Sequence, residues 1–166
     1  ILTESQVSDF NEIADKVAKK MQSSGWRGLF GIDVIHDEER DMLHLIEINA
    51  RQPASTTFES KLQDNINMLG VPGINTFDAH ICALLHIPVP SALIPINDVA
   101  QILQRVTSKV KSVDTKKLID AGYRVINYRN DKPNKDLLRI QSEMGIMEAH
   151  NKFNKRGKNI LDLLIS

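Results

Sequence analysis

Two short stretches decide the fold: Gly31-Ile32-Asp33-Val34-Ile35, and, after a polar interval, Ile46-Glu47-Ile48-Asn49-Ala50-Arg51. Each is an apolar run of strand length, and the first of them begins at Leu29. Between them His36-Asp37-Glu38-Glu39-Arg40-Asp41 supplies a polar turn, so the two runs are predicted to form a β-hairpin with its second strand over Met42 to Asn49. Side chains alternate along a strand. Asp33 therefore shares a face with Gly31 and Ile35, while Phe30, Ile32 and Val34 are expected to point into a core. On the second strand Glu47 and Asn49 share a face with Leu45, opposite Ile46 and Ile48. Closing the hairpin around Arg40, with Ile35 facing Leu45, sets Asp33 directly across from Glu47.

Two carboxylates side by side on a sheet repel each other unless a cation lies between them. Hard oxygen ligands, namely Asp33, Glu47 and the amide carbonyl of Asn49, suit Mg²⁺ or Mn²⁺, and magnesium is commonly completed by water and phosphate. Arg51, two residues further on, can reach the same side and stabilise charge on a transferring phosphoryl group. A single carboxylate on a strand is ordinarily a solvated outer face, and a single arginine an exposed ion pair. The convergence of three oxygen ligands by register is what favours a metal.

Outward from the hairpin, Thr3 and Gln6 have the spacing of a capping box. The apolar positions Val7, Phe10, Ile13, Ala14, Val17, Ala18 and Met21 predict a helix over about Glu4 to Ser24, closed by Gly25. Ala50 to Thr57 reads as an ordered loop. Asn75 caps a helix through about His86, with Phe77, Ile81, Leu84 and Leu85 on its apolar face, and Pro88 and Pro90 end it. Residues 88 to 97 read as a connector. From about Ala100 the texture is of short β-prone runs, Ile102 to Val110, Tyr123 to Tyr128 and Leu137 to Ile140. A brief helix is expected near Thr115 to Ala121 and a closing helix from about Ile146 to Leu164. The expected fold class is α+β, divided into 1–98, which carries the metal and phosphate site, and 99–166, a small α/β appendage.

At these residues the chain resembles the last two metal-bearing strands of the ATP-grasp superfamily. The resemblance implies a C-terminal ATP-grasp subdomain, an antiparallel sheet flanked by helices. It implies that Asp33, Glu47 and Asn49 bind magnesium bridging the phosphates of ATP, that Arg51 is the catalytic arginine of a carboxylate-amine ligase, and that Ile35 touches adenine. The continuation Arg51-Gln52-Pro53-Ala54-Ser55-Thr56-Thr57 and Gly73-Ile74-Asn75-Thr76-Phe77-Asp78 resembles the branch containing the pyrrolysine-biosynthesis ligase, which joins methylornithine to lysine. The end of the chain, with Lys152, Lys155, Gly157 and Ile160, is similar to the end of that ligase. Asn49 stands where that branch has aspartate, although asparagine is usual in the superfamily. Ser55, Thr56 and Thr57 are then candidates to hold a substrate's polar head, beside the commoner reading that hydroxyls stabilise their own loop.

The implied reaction is amide formation through an acyl phosphate, with small-molecule carboxylate and amine substrates, in amino acid biosynthesis. The family's phosphate-binding lysines, glycine-rich loop and adenine hinge do not lie in the sequence. The expected partner is therefore an N-terminal part of the same protein, without which the chain should not turn over. Oligomeric state is left open, a homodimer included.

The bulk numbers set bounds. Lys plus Arg and Asp plus Glu are each 21 among 166 residues, so no global field draws the chain to nucleic acid or to an anionic membrane. Lys152, Lys155, Arg156 and Lys158 lack aromatic stacking partners and read as a solvated helix face. No apolar run is long enough to span a bilayer. The single cysteine, Cys82, fits a reducing cytoplasm. His36, His44, His80, His86 and His150 have no zinc-like spacing. Two other classes compete: a magnesium-dependent nuclease-like domain, which shares the acidic hairpin but ordinarily adds a lysine absent here, and a noncatalytic nucleotide-binding module.

Overall fold

The computed structural model describes residues 2–149 and 151–165. His150, considered above, lies outside the described residues. The chain divides into two compact units, Leu2–Pro95 and a second from Ile96 onward.

In the first unit, helix α1 covers Glu4–Ser23. Its N-terminus carries the expected capping box: Thr3 Oγ1 accepts from the Gln6 amide and Gln6 Oε1 accepts from the Thr3 amide at 2.9 Å. At the other end the Trp26 amide donates to the Met21 carbonyl and Gly25 to Gln22, with Gly25 at φ +84°, the pattern of a Schellman stop. The hairpin follows as β1, Gly31–Asp37, and β2, Met42–Asn49, paired antiparallel. Its turn is held by Asp37 Oδ1, which accepts from the amides of Glu39 and Arg40.

Helix α2, Thr56–Met68, stands where the sequence reading placed the end of a loop and nothing further. Its inward face is Thr56, Phe58, Ser60, Leu62 and Gln63, more than half polar, so no apolar period announces it. Helix α3, Thr76–Leu84, has Asn75 as its N-cap. The face expected to be buried is largely open. Phe77 is 41% exposed, Leu84 48% and Leu85 61%. Buried apolar side chains in this unit are Val17, Phe58, Leu62, Ile74 and Ile94.

The second unit is built on a three-stranded antiparallel sheet, ordered β3 (Ala100–Arg105), β5 (Asp136–Ser142), β4 (Arg124–Asn127), with α4 at Thr115–Asp120. The central strand β5 buries both faces, and Leu138 and Ile140 pack with Leu118, Val106, Ile160 and Leu164. The closing helix is shorter than expected. A small hairpin, β6 (Met147–Ala149) with β7 (Lys152–Phe153), precedes α5, Lys155–Ile165. Asn151 takes a left-handed turn conformation at φ +57°, and Asn154 Oδ1 then accepts from the Gly157 amide, so the helix starts at its cap and not at Ile146.

Candidate metal and phosphate site

All the sequence-predicted site residues fall in the first unit. Asp33 is the direct cross-strand partner of Glu47, Gly31 of Asn49 and Ile32 of Ile48. Beyond that point the register differs from expectation. Val34 pairs with Leu45, and Ile35 pairs with His44 instead of Leu45, which leaves Ile46 as the extra residue of a β-bulge. A bulge adds a residue to one strand only, so it was invisible to a strict alternation count. Ile46 and Ile48, placed by the sequence on the face opposite Glu47 and Asn49, are 65% and 44% exposed. Phe30, Ile32 and Val34 are half-buried.

Asp33 and Glu47 are both exposed. Asn49 Nδ2 donates to Asp33 Oδ2 at 3.2 Å, and Arg51 Nη2 donates to Asn49 Oδ1 at 3.2 Å. A hydrogen-bonded row therefore runs from Asp33 through Asn49 to Arg51, beside Glu47. The Arg51 amide closes a tight turn onto the Asn49 carbonyl at 2.7 Å, which curls the chain back at the end of β2. For a hard divalent cation the donor chemistry fits: two solvent-reachable carboxylates and an amide within one row. In this arrangement the amide oxygen faces Arg51 and its nitrogen faces Asp33, and a half turn of the side chain exchanges them. Among the described residues no cluster of three or more histidines, cysteines or carboxylates stands ready for a metal, so any ion here relies on non-protein oxygens to complete its shell.

Ile35 is 56% exposed on the hairpin. Ser55 precedes α2 as its N-cap residue, and its side chain makes no capping hydrogen bond. Thr57 is exposed, whereas Thr56 is buried at 1% exposure, so only Ser55 and Thr57 present hydroxyls to solvent. Thr57 also borders an open pocket of about 430 Å³ with Lys61, Asp64, Asn75, Phe77 and Asp78.

The sequence reading anticipated the Asn75 cap but missed the other polar residues that fix the floor of this region. Gln63 Oε1 accepts from the Thr76 amide at 2.7 Å, Ser60 Oγ from the Phe77 amide at 2.9 Å, and Asn75 Oδ1 from the Asp78 amide at 2.7 Å. Three amides that α3 cannot satisfy internally are thereby paired. Gln63 Nε2 reaches the Ile94 carbonyl at 2.8 Å, and Asn67 Nδ2 the Gly73 carbonyl at 3.3 Å. The available signal was a polar stripe at helical spacing, Thr56, Ser60, Gln63 and Asn67.

No protein-family model and no curated protein matches the chain. Among solved structures, the phosphoribosylaminoimidazole carboxylase ATPase subunit from Aquifex aeolicus is similar over 92% of this chain, with a TM-score of 0.61 and 13% identity. The fold is of the ATP-grasp type. It is the α+β arrangement expected from the hairpin, antiparallel sheets flanked by helices. The aligned region spans 43% of the Aquifex chain. No helix among the described residues is long and apolar enough to cross a membrane.

Proposed function

We propose that this chain is the metal- and phosphate-holding part of an ATP-dependent carboxylate-amine ligase. The observation that carries the reading is the cross-strand pair Asp33–Glu47 joined by hydrogen bonds to Asn49 and Arg51 on an ATP-grasp-type fold. Asp33, Glu47 and Asn49 hold Mg²⁺ or Mn²⁺. When bound, the metal neutralises phosphate charge and aligns ATP for transfer. Arg51, at the end of the row, holds the oxygens of the transferring phosphoryl group, and Ile35 offers an apolar surface to the adenine. Ser55 and Thr57 orient the substrate's polar head.

In the reaction so supported, a substrate carboxylate oxygen attacks the γ-phosphorus and ADP leaves. An amine then attacks the acyl carbon, inorganic phosphate leaves, and an amide forms. No protein nucleophile is needed, because positioning and charge neutralisation lower the barrier to phosphoryl transfer. A preceding segment of the same protein completes the nucleotide site, so the chain alone does not turn over. Amino acid substrates, as in the pyrrolysine branch, and a cytoplasmic setting belong to the same proposal.

The test is ADP formation by the full-length protein. Asp33→Asn, Glu47→Gln and Arg51→Ala are each expected to suppress it, and full turnover in all three would sink the assignment. Binding of duplex DNA in place of ATP would favour a nuclease-like domain. Nucleotide binding without turnover would favour a noncatalytic module.

A further inference from the structure

His80, in the middle of α3, turns its ring onto the backbone that leads into β1. The Leu29 amide donates to His80 Nδ1 at 3.0 Å. A backbone N–H can only donate, so Nδ1 is unprotonated and the ring is neutral, with its proton on Nε2. The preceding residue, Gly28, lies at φ +89°, and the His80 ring fills the space a Cβ there would need, with Leu84 Cδ2 next at 3.4 Å. On its other side the Gly28 carbonyl accepts from Trp26 Nε1 at 3.3 Å. The backbone at 28–29 is thus held from two directions, two residues before β1 begins at Gly31 and four before Asp33.

What holds it is itself fixed. α3 is locked to α2 through Ser60 and Gln63, which accept from the Phe77 and Thr76 amides, and through Asn75 Nδ2, which donates to Asp64 Oδ1 at 2.7 Å, and α2 starts beside Ser55 and carries Thr57. One imidazole therefore joins the hairpin bearing Asp33 and Glu47 to the helix pair presenting the two exposed hydroxyls.

We propose that His80 is a positioning residue, which through its neutral Nδ1 sets the carboxylate hairpin relative to Ser55 and Thr57. The proposal deepens the ligase reading and gives it a mechanical basis: the spacing between phosphate site and substrate head depends on one hydrogen bond and one glycine.

The experiment compares His80→Asn with His80→Gln in this 166-residue chain. Asparagine places a carbonyl oxygen close to where Nδ1 sits, whereas glutamine carries its oxygen about one bond further out. A nitroxide is attached at Asp33→Cys in a Cys82→Ser background, and relaxation enhancement is read at the Ser55 and Thr57 amides. His80→Asn should keep both the enhancement and the slow exchange of the Leu29 amide. His80→Gln should speed Leu29 exchange about tenfold and change the enhancement by at least about twofold, the consequence of a shift of an ångström or so. Unchanged enhancement in His80→Gln, or a Leu29 amide indifferent to both variants, would overturn the proposal. Mn²⁺ broadening of Asp33 and Glu47 in the unlabelled chain is recorded in parallel. Its absence with the nitroxide pattern intact would count against the metal reading while upholding the role of His80.

Discussion

Asp33 and Glu47 sit directly opposite each other on adjacent antiparallel strands, both exposed, and Asn49 Nδ2 donates to Asp33 Oδ2. Like charges so placed destabilise a sheet by about 0.2–1 kcal/mol. Without divalent cation, Glu47→Gln is therefore expected to stabilise the first unit by an amount in that range, shrinking toward zero near 1 M salt as screening sets in. With Mn²⁺ the order reverses, because only the unsubstituted chain gains from binding. Urea unfolding followed through Trp26, the single tryptophan, reports on the unit that carries the site; equal responses to Mn²⁺ in both chains would refute this.

Gly28→Ala should weaken the same unit by about 1–3 kcal/mol, since a side chain at φ +89° is strained and the His80 ring must move to admit it. The companion sign is faster exchange at the Leu29 amide. A variant as stable as the parent would show that the lead-in to β1 is not clamped.

Gln63 is 2% exposed and serves both the Thr76 amide and the Ile94 carbonyl. Gln63→Ala leaves two buried groups unpaired at about 1–3 kcal/mol each, for an expected loss of about 2–4 kcal/mol by urea unfolding. Ser60→Ala removes a single acceptor, that of the Phe77 amide, and should cost about half as much. Equal costs would mean that the network does not distribute as the hydrogen bonds indicate.

Hydrogen bonds from Gln6 and then from His36 hold the Asp41 carboxyl below the ordinary aspartate range. A carboxyl lowered on folding contributes stability that is present above its unfolded value and is lost as pH falls through the lower, folded one. The Gln6 amide group donates to Asp41 Oδ1 at 2.7 Å, and His36 Nε2 lies 2.8 Å from that oxygen. Gln6→Ala should accordingly raise the Asp41 midpoint toward that of an aspartate in an unstructured peptide, followed by carbon NMR of the carboxyl. An unmoved midpoint would assign the lowering to another source.

Local patterns were enough for several parts of this protein. The capping box at Thr3 and Gln6, the Gly25 stop, the Asn75 cap and the pairing of Asp33 with Glu47 all follow from signals contained within a turn of helix or one hairpin. Such signals are legible because the groups that satisfy each other are close in sequence. Tertiary structure decided the rest. α2 escaped notice because Ser60 and Gln63 are buried by bonding to the first amides of α3 and to the Ile94 carbonyl, a partnership no periodicity encodes. The bulge at Ile46 shifted Ile35 onto His44, and the merged reading of residues 146–164 gave way to a small hairpin and a capped helix. His80 took its role only when α3 was laid against the lead-in to β1, since a neutral imidazole becomes a clamp through what lies 51 residues away in the chain. Hydrogen bonds within a few residues declare themselves in order and spacing, whereas those made across the fold depend on packing that sequence order does not contain.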